Sequence, residues 1–458
     1  MRLASLLAIG FLTACVPSPG ADVSMNQNKS STATSGRASS VTNKFGLKAA
    51  ARTQRNNADI ARDFLELAFT MESGRTLPIL TRFEGPITVR TSGQIPPSAL
   101  TDLARLLQRF RNEAGLNIRE VAGAPASINI EFVPRKAIQS VYSNVACFVV
   151  PRVTSWDEFR SSRNNGTLVW QTLQQRDQVS VFIPADSTAQ EVRDCLHEET
   201  AQAMGPLNDL FRLTDSVFND DNFNTSLTGF DMTILRAYYS PELRSGMTQA
   251  QVAAKLPGIL ARVNPAGNSA PMRPQTKSPR FWINAVQTAL GSSGSAQRRE
   301  DAARQAVSTA RAQGWTDGRL AFSYFALGRI SLARDPATAI NAFAEAGRIY
   351  RSLPGGAIHA AHVDMQLAAY ALSRGESERA LEISNRTMPA VAAAENAALM
   401  ATLMLIKAEA LEMRGLNREA SAVRIDSGGW ARYGFGSDAQ IKSRAAEISA
   451  LARRGNKS

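Results

Sequence analysis

Residues 198–209 read Glu-Glu-Thr-Ala-Gln-Ala-Met-Gly-Pro-Leu-Asn-Asp, and their reading decides how the first half of the chain folds. Just upstream, Ser187-Thr188-Ala189-Gln190 has the spacing of a capping box. A helix is therefore predicted from there to Met204, stopped at Gly205-Pro206, where glycine closes the turn and proline cannot continue it. Glu198 and Gln202 lie one turn apart and share a face of that helix, with Cys195 a turn earlier on the same side. Glu199 stands beside Glu198, and Asn208 and Asp209 follow the turn. Side-chain oxygen donors are thus concentrated around one helix end.

Laid under the zinc-protease motif HExxHxxGxxH, the stretch places Glu199 at the general base and Gly205 at the glycine. Glu198, Gln202 and Asn208 fall on the three histidine positions, with Asp209 beside the last. Zinc favours sulfur and nitrogen ligands, whereas an oxygen set suits calcium, magnesium or manganese. The expectation is one divalent ion (zinc, calcium or manganese) on Glu198, Gln202, Asn208 and Asp209, or no cofactor. His197 precedes Glu198 and points about 100° away around the helix. A frame shifted onto His197 would put Ala201 at the second ligand position and misplace Gly205.

Further on, Asp215-Ser216-Val217-Phe218 resembles the Met-turn region of metzincins, with Phe218 in the place of methionine. Leu227-Thr228-Gly229-Phe230-Asp231, followed by Leu235 and Tyr238-Tyr239, resembles their closing helix, and Thr228 and Asp231 form a capping box. Together with His197-Glu198-Glu199, Asn219-Asp220-Asp221, Pro241, Leu243 and Gly246-Met247, these motifs resemble the proteobacterial lipoprotein family catalogued as domain of unknown function 2927, over about residues 60–250. That resemblance implies a metzincin-like fold and a periplasmic lipoprotein. It implies no established activity.

The rest of the first block supports a mixed fold. Ile87-Thr88-Val89 opens a strand, and Ile128, Ile130 and Phe132 alternate with polar residues in another. Ala146–Val150 and Val179–Ile183 are two more short β-rich runs. Leu103, Leu106, Leu107 and Phe110 form the apolar stripe of a helix.

At the N-terminus, Arg2 precedes the apolar run Leu3–Leu12, and Leu12-Thr13-Ala14-Cys15 fits a bacterial lipobox. Residues 1–14 are predicted to be a signal peptide, with Cys15 lipidated; each buried methylene of an acyl chain adds about 0.8 kcal/mol of anchoring. Val16 in place of aspartate fits outer-membrane sorting in a Gram-negative bacterium, with the protein on the periplasmic face. An ordinary signal peptide with a chance cysteine is the alternative. Cys147 and Cys195 remain, and an oxidising compartment favours a disulfide between them over two buried thiols. The net charge of +12 is mostly arginine excess. Nucleic acid is not an expected partner; a basic surface turned to solvent, anionic lipid or cell-wall polymer accounts for the charge.

Residues 15–54, poor in large apolar side chains, are predicted to form a lipidated flexible tether. Prolines 257, 265, 271, 274 and 279 mark a linker over 256–280. The fold class is thus an α+β metzincin-like (zincin) domain over 55–255, followed over 281–458 by an all-α solenoid resembling tetratricopeptide (TPR) repeats. There Arg374-Gly375 and Ala380 recur as Arg414-Gly415 and Ala420, a period of forty, with a looser copy at Arg334–Ala339. Such arrays offer a concave surface for a protein partner; a plain helical bundle is the alternative. His359 and His362 lie one turn apart in this block without an evident third ligand.

Several functions fit these residues. One is a lipid-anchored scaffold whose degenerate peptidase-like domain holds a peptide or glycan while the repeats recruit a protein. Another is an active envelope metallopeptidase or amidase with a non-histidine metal site and Glu199 as general base. A metal-independent glycan hydrolase would need a second carboxylate at the right separation from Glu198, for which Asp220 and Asp221 are merely near in sequence. The prosaic alternatives are that Glu198 and Gln202 bond each other, that Gly205 is only a helix cap, and that Asn219–Asn222 is an Asx-rich turn.

Overall fold

The computed structural model describes residues 45–455, apart from 47, 48, 124, 144 and 274. The signal peptide, Cys15 and most of the tether lie outside the described residues. The chain divides into two units, one reaching Lys277 and one beginning at Ser278. No helix among the described residues is long and apolar enough to cross a membrane.

The first unit is α/β. In chain order it contains α1 (Asn57–Phe69), β1 (Ile87–Gly93), α2 (Ala99–Ala114), β2 (Ile118–Glu120), β3 (Ile128–Val133), α3 (Arg135–Gln139) and β4 (Phe148–Pro151). Then come α4 (Trp156–Ser162), β5 (Val179–Pro184), α5 (Ala189–Met204), α6 (Gly229–Tyr238) and α7 (Gln249–Val263). The strands form one mixed sheet in the order β2-β1-β3-β5-β4. All neighbours are parallel except β4, which runs antiparallel to β5 at the edge with Phe148 opposite Phe182. β5 is buried at all six residues, including Ser180, whose hydroxyl donates to Val153 O at 2.6 Å.

Side-chain alternation divides the core. Val181 and Ile183 join the main cluster with α1, α2, α5 and α6, while Phe182 joins Trp156, Phe159 and Val150 in a smaller aromatic cluster. A disulfide joins Cys147, just before β4, to Cys195 on α5.

Three boundaries differ from the sequence reading. The capping box of α5 begins one residue later: Thr188 Oγ1 accepts from Glu191 N at 3.2 Å, and Glu191 Oε2 accepts from Thr188 N at 2.9 Å. Ser187 instead accepts from the Arg135 guanidinium at 2.8 Å. The end of the expected tether is docked: Phe45 is buried and Ala50 N donates to Glu113 at 3.1 Å. Finally, the expected linker begins inside α7, which contains Pro257. Val252, Leu256, Ile259 and Leu260 bury a helical stripe there, and Pro257 lies on the exposed side, where solvent serves the carbonyl it leaves without a donor.

The described part of the second unit contains helices and no strand: α8 (Arg280–Leu290), α9 (Ala296–Ala312), α10 (Gly318–Ser331), α11 (Pro336–Ser352), α12 (Ala357–Ser373), α13 (Ser377–Ala393), α14 (Ala397–Met413), α15 (Asn417–Phe435) and α16 (Asp438–Gly455). Successive helices pack as hairpins. The repeated Gly375 and Gly415 sit in the turns between paired helices at φ of 80° and 75°, a conformation that favours glycine. The repeated Ala339, Ala380 and Ala420 are fully buried where a larger side chain would hold the helices apart. His359 and His362 are buried in α12; His359 packs on Tyr350 at 4.8 Å, and burial pulls His362 down to about 3, with His359 and Arg329 adding to it. Both pack inside the helical unit, and His362 is carried neutral.

Candidate functional site

The site is assembled around the C-terminal half of α5. Glu199 and Gln202 are buried on that helix, and Glu198 is half-buried beside them. Three further segments are held against the helix end by backbone bonds. A tight hairpin after α1, closed by Leu77 N to Phe69 O at 2.8 Å, carries Glu72, whose N–H donates to Leu207 O at 3.3 Å. The strip following α5 is held by Leu207 N to Leu67 O at 3.0 Å and carries Asp209. Leu210 N donates to Phe218 O at 2.9 Å, which brings up the turn bearing Asp220.

The result is a carboxylate cluster. One ligand atom from each of Glu72, Asp209 and Asp220 lies within 4.8 Å of the other two, with Glu72 exposed and the aspartates half-buried. The Gln202 amide donates to Asp209 Oδ2 at 3.3 Å, and Glu72 hydrogen-bonds both Asp209 and Gln202. Burial, then the charges of Glu72, Asp220 and Asp194, push Glu198 up to about 8. Burial and the neighbouring Glu198 and Glu72 raise Glu199 well above the usual carboxylate range. Asp209 is raised by burial, Glu72, Glu198 and Asp220. Glu199 is 6 % exposed and its Oε2 has no hydrogen-bond partner.

Of the residues singled out in the sequence, Glu198, Glu199, Gln202 and Asp209 meet at this cluster. Asn208 faces elsewhere, its amide donating to Glu66 O at 3.2 Å, so the residue after it is the one that joins the acids. His197 is turned away as its helical position requires: Nδ1 accepts from Leu227 N at 3.1 Å, and burial, with Arg109 and Arg193 nearby, keeps the imidazole neutral. Asp221 is engaged in an Asx turn with Asn219 and Phe223 N, leaving Asp220 as the turn's contribution to the cluster. Glu72 was invisible in the sequence, since only the fold carries its hairpin to α5.

Arg176 was also missed. It is 2 % exposed, stacks on Trp170, and donates to the carbonyls of Gln202 at 2.7 Å, Ala203 at 2.7 Å and Gly205 at 2.6 Å. A cation on the last carbonyls of a helix satisfies acceptors that have no intrahelical donor. Tyr239 Oη donates to Met204 O at 2.8 Å, completing the cap. Below the site Phe218 is fully buried, and Asp231 accepts from Ser216 Oγ, Val217 N and Thr228 N, tying the Phe218 loop to the start of α6.

The family described as protein of unknown function (DUF2927) matches residues 57–258, so the first unit carries the domain that the motifs pointed to. No curated protein and no solved structure matches the chain.

Proposed function

We propose that the first unit is a degenerate metallopeptidase-like domain of metzincin type that holds an extended peptide or a glycan, and that the protein is a lipid-anchored periplasmic scaffold whose TPR-like repeats recruit a protein partner. The observation that carries this reading is the position of β4. It is the antiparallel edge strand of the sheet, no strand among the described residues pairs with its outer side, and the disulfide ties the residue before it to the helix bearing Glu198 and Glu199. A peptide added to that edge by backbone hydrogen bonds would run beside the carboxylates. The sheet order, the helix ending at Gly205 and the buried Phe218 loop support the metzincin comparison. Fold and function are separate matters, and oxygen donors at the histidine positions favour holding over cutting.

The test is amide exchange of residues 148–151 while envelope peptides and glycan fragments are added to the full-length protein. Slower exchange on binding, retained in Glu199→Gln, supports the scaffold. Exchange that no ligand changes counts against it. Anchoring is tested separately: Cys15→Ser should release the protein from membranes.

A second reading, a hydrolase with Glu199 as base, is favoured by one observation: Glu199 is buried with a raised proton affinity and an unpartnered oxygen, which equips it to take and hold a proton. Turnover abolished in Glu199→Gln would decide for it.

A further inference from the structure

We infer that Glu72, Asp209 and Asp220, beside Glu198 and Glu199, form a site for one hard divalent cation of calcium type. The inference concerns a different donor set from the motif positions, and it stands whether the cleft binds or cleaves.

Geometry comes first. Three carboxylates from three segments, far apart in sequence, offer oxygens within 4.8 Å of one another. Calcium takes oxygens at about 2.3–2.6 Å, so oxygens on opposite sides of the ion stand roughly 5 Å apart. The observed spacing of the three oxygens matches that requirement. Magnesium, at about 2.0–2.1 Å, demands a tighter octahedron and would need rearrangement or waters. The donors are all oxygen, which disfavours zinc.

The second observation is Glu199. Its carboxylate is more than nine-tenths buried, Oε2 has no hydrogen-bond partner, and its place on α5 lies about 60° around the helix from Gln202, whose amide holds Asp209. A buried, unsatisfied carboxylate oxygen beside further acids is costly unless a cation or proton compensates it. Gln202 holds Asp209 through its amide, leaving the carboxylate oxygens facing Glu72.

The test is calorimetric titration of the chelator-treated, dialysed full-length protein with Ca²⁺ and, separately, Mn²⁺ and Mg²⁺, together with the thermal unfolding midpoint in each ion. Expected is about one Ca²⁺ per chain, a higher midpoint with Ca²⁺, and weaker binding of Mg²⁺. Glu72→Gln and Asp220→Asn should each weaken Ca²⁺ at least tenfold, while Glu120→Gln, on the edge strand β2, should leave it unchanged. Each of the two variants removes a like charge from the cluster. Their metal-free forms should therefore unfold at the same temperature as the parent or higher, which separates ligand loss from misfolding. No Ca²⁺ binding at millimolar concentration, or binding that neither variant weakens, would overturn the inference.

Discussion

The ring of Tyr238 lies against Gly205, so close that a Cβ on residue 205 would sit 2.8 Å from it. The ring therefore requires glycine here. It lets α6 approach the end of α5, where Tyr238 Oη donates to Thr81 O at 3.2 Å. Gly205→Ala should destabilise the protein by about 1–3 kcal/mol through overpacking. Urea unfolding of that variant, of Tyr238→Leu and of the double variant checks it: the two changes should be strongly non-additive, because the second removes the clash of the first.

Arg176 should matter to the site without touching it. Arg176→Met would take the guanidinium from three carbonyls, leaving Gln202 O with Gly205 N, Gly205 O with Tyr238 Oη and Ala203 O without its donor, a loss of about 3–5 kcal/mol. Arg176→Lys should recover only part, since an ammonium cannot reproduce the planar fork that serves three acceptors. Chemical denaturation gives the magnitudes, and amide exchange along residues 198–204 should show the loss starting at that helix end.

Reducing the Cys147–Cys195 bond should lower stability by up to about 4 kcal/mol, the chain-entropy value for a loop closed over 48 residues. Because the bond ties the approach to β4 to α5, exchange at 148–151 should rise more than exchange at β3. Thermal unfolding with and without reductant, set beside the double Cys→Ser variant, measures both effects.

Asp231 gives a pH dependence of defined sign. Burial raises its pKa from 3.8 to about 6, against the opposing hydrogen bonds from Ser216, Thr228 and Val217. The folded state thus holds this proton more tightly than the unfolded chain. Stability from this group is greatest below pH 4, falls as the pH rises to about 6, and is level above, a difference of about 3 kcal/mol at most. Asp231→Asn costs hydrogen bonds at every pH but should remove that slope. Urea unfolding at intervals from pH 4 to 7, compared between the two proteins, isolates it; parallel curves would show that Asp231 is ionised throughout.

Much of this architecture is legible in local pattern. Val179–Ile183 and Ile128, Ile130 and Phe132 mark their strands because burial follows side-chain periodicity, and β2, with only three residues, is too short to leave a pattern. The helix ending at Gly205 and the capping box at Thr228 follow from backbone groups that need local partners. The forty-residue recurrence marks the hairpins because glycine turns and buried alanines recur with the packing. At Pro257 the buried stripe of Val252, Leu256, Ile259 and Leu260 outweighs the proline, and the helix continues through it.

The sequence by itself determined the two-unit plan, the order of the main elements, the helix that carries Glu198, Glu199 and Gln202, and the domain family of residues 57–258. These are written in periods, caps and motifs spanning a few residues. Only the tertiary structure decided that Asp209 and not Asn208 faces the acids, that Glu72 and Asp220 join them, and that Arg176 closes the helix beneath. Those choices depend on backbone bonds between distant segments, such as Glu72 N to Leu207 O and Leu210 N to Phe218 O, which no local pattern encodes.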